Sequence, residues 1–305
     1  NITLSNGLSS VRAADNNGDG LADYAYAGDL QGNIWRFDLV PDTTTEYDQN
    51  ADPFNRGHDE IKGKVIPADF KLAYGGEPLF VAKDTQGQRQ AITIQPSLVR
   101  HPTTLGYLVL VGTGKYFENN DANVDKSRSM TLYGLWDRKT RRQETKADSN
   151  TRKNLSRADL QKQEFIHQED GATFGTEGKT ATNDIRMLSQ NTVKWYKSPG
   201  EAGEAIDPKN DKHVVKWGWR LDLAVEKLDE GQWDNSAETR NGTQELAGEM
   251  VINNMAARGS TLLVSSLTPN DDPCQAGAIT WFYGINAHTG GRTPRNVLDM
   301  NNDRN

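Results

Sequence analysis

The strongest constraint on the fold is a recurrence of short runs rich in β-branched and aromatic residues, separated by glycine and asparagine. Runs of this length and composition, bounded by turn-forming residues, are typical of β-strands. The predicted strands are residues 23–28, 32–39, 79–83, 91–94, 107–112, 130–137, 216–223, 261–267 and 279–286. We therefore expect an all-β chain.

Three pairs of these runs share a pattern that indicates repeated hairpins. In each pair, a strand rich in small residues precedes a strand that ends with aromatic and apolar residues and then Asp38, Asp137 or Asn286. The spacing between the pairs is irregular, so no fixed period is established. Blades of a β-propeller separated by long insertions give such a pattern, and a modified β-propeller is the predicted fold. A β-sandwich, which also consists of short strands, is the second candidate.

A polar segment at residues 138–191 interrupts the strand pattern with charges of both signs among Gly, Thr, Ser and Asn. We interpret it as a long insertion with too few apolar residues for a core of its own. Ser156 is a candidate N-cap, which predicts a short helix over residues 157–165. Residues 41–64 have a similar character. The predicted architecture thus has long loop insertions and one or two short helices.

Charge and cysteine content exclude several classes of protein. The net charge is −7, whereas a protein that binds nucleic acid by neutralising phosphates has a basic surplus. No apolar run approaches the roughly 20 residues of a transmembrane helix. Cys274 is the single cysteine, which excludes an internal disulfide framework and a cysteine-based structural zinc site.

The most specific motif is the stretch DNNGDGLAD at residues 15–23. Calcium takes about six to eight oxygen ligands, and EF-hand loops supply them from alternate positions with glycine at the sixth. Counted from Asp15, the residue at the sixth position of this stretch is Gly20. The predicted calcium ligands are Asp15, Asn17, Asp19, the backbone carbonyl of Leu21, and Asp23. Three carboxylates this close repel one another unless a cation lies among them.

The twelfth position of this motif is Tyr26, so the bidentate Glu of a true EF-hand is missing, and a predicted strand follows instead of a helix. We interpret the motif as a nine-residue EF-hand-like loop, with Ca²⁺ preferred to Mg²⁺. A solvated turn built on local Asx hydrogen bonds is the alternative. A partial repeat of the motif has Arg304 in place of the glycine and is not expected to bind metal as it stands, although it could begin a second calcium loop. Its residues are Asp299, Asn301 and Asp303.

No catalytic residues are predicted, because the sequence contains neither GxSxG nor HExxH. The five histidines occur in unlike contexts and are expected in loops or at the surface; they are His58, His101, His167, His213 and His288. The run GDLQGNIWRFDL is similar to the blades of quinone-dependent dehydrogenases, which gives one alternative function. Blade packing explains the same residues, with Trp35, Trp136 and Trp281 wedged between sheets at equivalent positions. A calcium-dependent lectin-like module is another alternative.

Four blocks of sequence together carry a family resemblance. They are DNNGDGLADYAYAGDLQGNIWRFDL, LVGTGKYFENND with LYGLWD, GWRLDL, and SSLTPNDDPCQAGAITWFYGINAHTGGR. In this order, from about residue 15 to 292, they resemble the C-terminal β-propeller of the PilC/PilY proteins of bacterial type IV pili. The resemblance implies that residues 1–305 are the later blades of such a propeller, with 138–191 as an insertion within it. Closure of the ring is left open.

The resemblance also implies a function. It predicts a non-enzymatic protein at the outer membrane surface or the pilus tip, which supports pilus assembly against retraction, twitching motility, surface adhesion and virulence. Its implied partners are major or minor pilins and a host-cell or surface receptor, without nucleic acid. The family's calcium loop corresponds to Asp15, Asn17, Asp19, Leu21 and Asp23. Cys274, in the family's DPC motif, is expected to lack a partner within this chain.

Overall fold

The computed structural model describes residues 5–16, 20–39, 67, 70–103, 105–118, 120–123, 127–138, 151–176, 179–207, 210–227, 243–245, 248–270, 277–295 and 297. These parts of the chain are mainly β-strand, as the sequence predicts. The α-helical residues among them lie in two short stretches, residues 151–154 and Pro199–Ala202, in agreement with the expectation of one or two short helices. No helix in the described ranges is both long and apolar enough to cross a membrane.

Most of the strands are short, and the longest, with 16 residues, lies in the predicted insertion. They are β1 (Arg12–Ala14), β2 (Tyr24–Gly28), β3 (Asn33–Asp38), β4 (Lys71–Leu72), β5 (Phe80–Val81), β6 (Ser97–Arg100), β7 (Tyr107–Gly112), β8 (Thr131–Asp137), β9 (Gln161–Thr176), β10 (Lys179–Leu188), β11 (Gly218–Lys227), β12 (Thr243–Glu245), β13 (Ala256–Arg258), β14 (Thr261–Pro269) and β15 (Ala278–Asn286).

The strands form three sheets. The first has the order β1-β2-β3-β4, with β5 also paired to β3. The middle sheet has the order β10-β9-β11-β8-β7-β6, with β12 paired to β11, and the third is β13-β14-β15. The pairing of β9 with β11 is parallel, and the other pairings are antiparallel.

The hairpin pattern in the sequence is confirmed as β2–β3, β7–β8 and β14–β15. The polar residue that ends the second strand of each hairpin pairs with the first residue of the preceding strand. The pairs are Tyr24 with Asp38, Tyr107 with Asp137, and Thr261 with Asn286. The three sheets are thus built on hairpins of one design.

The central strands β7 and β8 of the middle sheet are buried on both faces. Tyr107 and Val109 of β7 pack in a core shared with the first sheet, whereas Leu108 and Leu110 pack in a core shared with the third sheet. A strand covered on both faces can be apolar at every position, which explains the uninterrupted run YLVLVG. By contrast, β14 alternates between buried and partly exposed residues, because only one of its faces is fully covered.

The predicted helix over residues 157–165 is wrong. Ser156 is an N-cap as expected, but it caps only a 3₁₀ turn at Arg157–Asp159, and β9 begins at Gln161. The side chains of Gln163 and Phe165 are buried, while that of Glu164 between them is more exposed. This alternation is the two-residue period of a strand. Pairing with β11 outweighs the weak helical propensity of this polar sequence.

The polar segment 138–191 contributes to the shared cores. Residues 139–150 lie outside the described residues, but β9 and β10 extend the middle sheet. Leu160, Phe165 and Leu188 are buried in the cores of the neighbouring sheets.

The predicted strand at residues 91–94 is wrong, since this segment connects β5 to β6 and is not paired as a β-strand. The stretch 41–64 falls outside the described ranges.

The tryptophans do not occupy equivalent positions, contrary to the sequence-based expectation. Trp35 pairs with Ala27, Trp136 with Leu108, and Trp281 with Ser266, which are different levels of the three hairpins. Trp136 is wholly buried, while Trp35 and Trp281 remain partly exposed. Trp219 is also fully buried, and it lies against two glycines. A Cβ atom would come within 2.3 Å of its ring at Gly134 and 2.2 Å at Gly290.

Candidate metal site

The DNNGDGLAD motif forms the connection between the first two strands of the first sheet. Ala14, the last residue of β1, pairs with Tyr24, the first residue of β2, so residues 15–23 form the loop of this hairpin. The main chain of Asp23 joins both neighbouring strands, because its N–H donates to Ala14 O at 2.9 Å and its carbonyl accepts from Leu39 N at 2.9 Å. The end of the loop is therefore fixed by the sheet.

The two described carboxylates accept hydrogen bonds from distant points of the same loop. Asp15 Oδ2 accepts from the N–H of Gly20 at 2.8 Å, and Asp23 Oδ2 accepts from the N–H of Asn16 at 2.6 Å. Gly20 has φ +90°, a conformation that favours glycine. The side chain of Asp15 lies at the exposed edge of the loop, whereas Asp23 is 7% exposed.

Two other turns show what an Asx turn looks like in this fold. Asp29 Oδ1 accepts from the N–H groups of Gln31 and Asn33, and Asp84 Oδ1 accepts from those of Gln86 and Gln88. These donors lie two and four residues after the carboxylate, as is usual for such turns. The contacts in the 15–23 loop instead span five and seven residues, so its backbone is wrapped more widely than in a local turn.

The structure describes three of the five predicted ligand residues. Asp15, Leu21 and Asp23 belong to the described residues, whereas Asn17 and Asp19 do not. Leu21 has a 56% exposed side chain, so any role in the loop falls to its main chain. Carboxylate and carbonyl oxygens are the hard ligands that suit calcium. The donor types of this loop therefore fit a calcium ion.

The described parts of the chain contain no complete metal-binding cluster. Within these ranges, no group of three or more His, Cys, Asp or Glu side chains is arranged to hold a metal, and Asp19 of the candidate loop lies outside them. The candidate second loop and the lone cysteine also lie outside these ranges; the residues concerned are Cys274, Asp299, Asn301 and Asp303.

A residue of the middle sheet holds the loop from the side. The guanidinium of Arg100, at the end of β6, donates from Nη1 to Asn16 Oδ1 at 2.6 Å and from Nη2 to the Asn16 carbonyl at 2.8 Å. The same guanidinium lies 4.4 Å from the ring centroid of Tyr107. Sequence analysis missed this contact, because Arg100 lies 84 residues from Asn16 and no local pattern marks it.

A buried ionic network joins the first and middle sheets near the loop. Asp137 is fully buried and accepts from Arg36 Nη1 at 3.0 Å and from the Tyr26 hydroxyl at 2.7 Å. The Tyr74 hydroxyl also donates to Asp137, and Arg36 Nε donates to Asp38 at 2.8 Å. The hairpin-ending residues Asp38 and Asp137 of two sheets are thereby linked through one guanidinium.

The pKa values in this network follow from its charges. Burial acts to raise the pKa of Asp137, but the guanidinium groups of Arg36 and Arg152 outweigh it and hold the pKa below its ordinary value. Burial, together with the negative charge of Asp137, raises the pKa of Tyr26 well above its ordinary value. Asp137 is therefore ionised and the Tyr26 hydroxyl is protonated at neutral pH.

Two histidines are more buried than expected. His101 and His213 are 2% and 4% exposed. The His101 ring stacks on Trp136 with centroids 3.8 Å apart, and burial lowers its pKa to about 2. It is neutral in the physiological range and acts as a packing residue. His213 lies beside Glu204 at 3.1 Å.

Comparison with known proteins agrees with this architecture. The family model described as the PilY1 beta-propeller domain matches residues 2–179. The type IV pilus biogenesis factor PilY1 of Pseudomonas aeruginosa strain UCBPP-PA14 is 46% identical over 299 residues, which are 97% of this chain and 23% of that protein. A PilY1 homologue of Xylella fastidiosa is 28% identical over 94% of this chain and 14% of its own length.

A solved structure has the same fold. The crystal structure of the Pseudomonas aeruginosa PilY1 C-terminal domain matches with a TM-score of 0.73 and 41% identity, over 100% of this chain and 52% of that domain. The chain thus spans less than a quarter of the PilY1 sequences it matches and about half of the solved domain. These matches, together with the repeated hairpins, show that the chain belongs to the PilY1 β-propeller domain family.

Proposed function

We propose that this chain is a calcium-binding part of the β-propeller of a type IV pilus biogenesis protein. The protein acts at the outer membrane surface or pilus tip, where it supports pilus assembly against retraction, twitching motility and surface adhesion. Its relatives are named as type IV pilus biogenesis factors, which supports this role and a non-enzymatic one. Its partners are type IV pilins and a surface or host-cell receptor.

The proposed calcium ligands are Asp15, Asn17, Asp19, the Leu21 carbonyl and Asp23. The observation that carries the proposal is the wide wrapping of the loop, in which the two described carboxylates accept from N–H groups five and seven residues away. Such contacts are not those of the local Asx turns at Asp29 and Asp84. A bound calcium ion supplies the positive charge that three neighbouring carboxylates require.

The position of the loop explains how it would influence the propeller. Asp23 is hydrogen-bonded through its main chain to Ala14 before the loop and to Leu39 after β3. Repulsion between the carboxylates would therefore strain three strands of the first sheet rather than a free end. Binding of a cation removes this repulsion and stabilises the folded hairpin, which gives the propeller a calcium-dependent state.

The direct test is isothermal titration calorimetry of calcium binding to the wild type and to Asp23→Asn. Asp23→Asn keeps the side-chain shape but removes a charge, and we expect the calcium affinity to fall at least about tenfold. Asp84→Asn is the matched control, because Asp84 is also a buried carboxylate in a turn but lies outside the motif. Equal affinity in the wild type and Asp23→Asn would refute the assignment.

A cellular test addresses the pilus role. In a bacterium that expresses the full-length protein with Asp23→Asn, we expect fewer surface pili and less twitching than with Asp84→Asn. Deletion of the retraction motor should restore the pili if calcium acts by opposing retraction. If the number of pili stays low in the motor-deficient strain, the loop instead affects assembly itself.

A further inference from the structure

The contact between Arg100 and Asn16 links the candidate calcium loop to another sheet. Arg100 ends β6, and its two terminal nitrogens bind the side-chain oxygen and the carbonyl of Asn16 at 2.6 and 2.8 Å. This is a planar, two-pronged contact that lysine cannot reproduce. Asn16 is 5% exposed, and its N–H donates to Asp23 Oδ2. Arg100 therefore holds the residue that in turn orients a proposed calcium ligand.

Tyr107 completes the contact from the adjacent strand β7. Its ring lies 4.4 Å from the Arg100 guanidinium, and its hydroxyl donates to the Asp15 carbonyl at 3.4 Å. The Tyr107 ring also packs edge-on against Tyr26 of the first sheet. The β6–β7 hairpin thus contacts Asp15 and Asn16 at the start of the loop, with a guanidinium whose position is set by an aromatic face.

Strand β6 and the residues just before it contact all three sheets. Gln95, just before β6, donates through Nε2 to Val11 O at 2.7 Å in the segment leading into β1, and Ser97 Oγ donates to Met255 O at 2.9 Å beside the third sheet. Arg100 thus belongs to a strand that is in contact with the segments preceding β1 and β13.

We propose that Arg100 and Tyr107 form a clamp that preorganises the calcium loop and couples its occupancy to the β6–β7 hairpin of the middle sheet. Neither residue is a calcium ligand; both are positioning residues, and the inference rests on the proposed calcium site. A loop held in its binding conformation loses less conformational entropy when the ion binds. By linkage, calcium in turn stabilises the contact between the loop and this hairpin.

The clamp and simple charge repulsion predict opposite results for the same substitution. A guanidinium near a cation site weakens calcium binding by Coulomb repulsion, so removal of its charge alone would tighten binding. If Arg100 acts by orienting Asn16, removal of its charge and its two hydrogen bonds weakens binding instead. Arg100→Gln distinguishes the two effects, and Arg100→Lys keeps the charge while removing the planar fork.

The experiment is calorimetric titration of calcium into the wild type, Arg100→Lys and Arg100→Gln. We expect a calcium Kd about tenfold higher for both variants, the size typical of residues that orient metal ligands. Arg89→Lys is the matched control, because exposed Arg89 also contacts a hairpin loop of the first sheet, through Gln31 O at 2.8 Å and Asn33 Oδ1 at 3.0 Å. That loop joins β2 to β3, and the calcium Kd of Arg89→Lys should equal that of the wild type.

Hydrogen–deuterium exchange provides a second readout. Calcium should slow amide exchange in residues 97–110 of the wild type and of Arg89→Lys, but not in Arg100→Lys at saturating calcium. An unchanged Kd in Arg100→Lys, a lower Kd in Arg100→Gln, or equal protection in all the variants would overturn the clamp while leaving the calcium site intact. A wild type that binds no calcium would overturn both proposals.

Discussion

The buried carboxylate of Asp137 and the carboxylates of Asp15 and Asp23 lie beside the same first sheet, but their charges are balanced differently. Asp137 receives Arg36 and two tyrosine hydroxyls within the protein and is 0% exposed. Asp15 and Asp23 accept from main-chain N–H groups of their own loop. A guanidinium within the protein balances the charge of a carboxylate whatever ions the solution contains. The charge of a loop with three carboxylates is balanced by cations taken from the solution.

The two regions are also adjacent. Asp23 immediately precedes Tyr24, which pairs with Asp38, and Asp38 is bound to the guanidinium that also holds Asp137. The ion pair thus secures β3, the neighbour of the strand at which the candidate calcium loop ends. This arrangement permits the loop to change its occupancy without separation of the first and middle sheets.

The largest effect is expected from Asp137→Asn. This substitution leaves the buried guanidinium of Arg36 without its main counter-charge, and breaking one side of a buried pair costs about 3–5 kcal/mol of unfolding free energy. Urea denaturation should give the same loss with calcium and with chelator. A loss that depends on calcium would show that the two regions are not independent. Glu118→Gln, in an exposed ion pair, is the control and should change little.

The contribution of Asp137 should persist to low pH. Its pKa is lowered in the folded protein, so the stability that it provides is complete above the unfolded carboxyl pKa and declines as pH falls toward the folded pKa. The difference in unfolding free energy between the wild type and Asp137→Asn should be constant from pH 7 to about pH 5 and shrink below about pH 4. A decline already at pH 6 would contradict the ionised state of Asp137.

Calcium removal should have the next largest effect. At a calcium concentration 100 times the Kd, binding stabilises the folded state by about 2.7 kcal/mol, and chelator abolishes this contribution. Thermal denaturation at several calcium concentrations should show a midpoint that rises with the logarithm of calcium. Asp137→Asn should show the same calcium dependence from a lower starting point, whereas the midpoint of Asp23→Asn should begin to rise only at calcium concentrations at least about tenfold higher.

The local features of the fold were predictable from the sequence. Turn-forming residues and apolar runs defined most strands, and the Asp or Asn that ends the second strand of each hairpin marked equivalent positions in three sheets. Ser156 was identified as a cap for the same local reason. Each of these features depends on neighbours within about ten residues of the chain.

Non-local features were not predictable. The strand at Gln161 forms because β11, some 58 residues later in the chain, is available for parallel pairing, and the sequence around it is polar enough to suit a helix equally well. Arg100 reaches Asn16 across 84 residues, and Arg36 reaches Asp137 across 101. A motif reveals which residues could bind an ion, but the residues that hold the motif in place come from other sheets.

The smallest effect, and the finest test of the comparison, concerns Gly20. Gly20 has φ +90°, and no atom of the described residues, its chain neighbours apart, lies within 4 Å of the place that a Cβ would take. Gly20→Ala therefore meets no described side chain but adopts an unfavourable backbone conformation, which costs about 1 kcal/mol. Gly87→Ala is the matched control, since Gly87 has φ +81° and equally open surroundings in the Asp84 turn. Both variants should lose similar stability in chelator, measured by urea denaturation. Only Gly20→Ala should also bind calcium about fivefold more weakly, because only its loop must keep that conformation for the ion. Equal calcium affinity in the two variants would mean that the backbone at Gly20 is not part of the binding conformation.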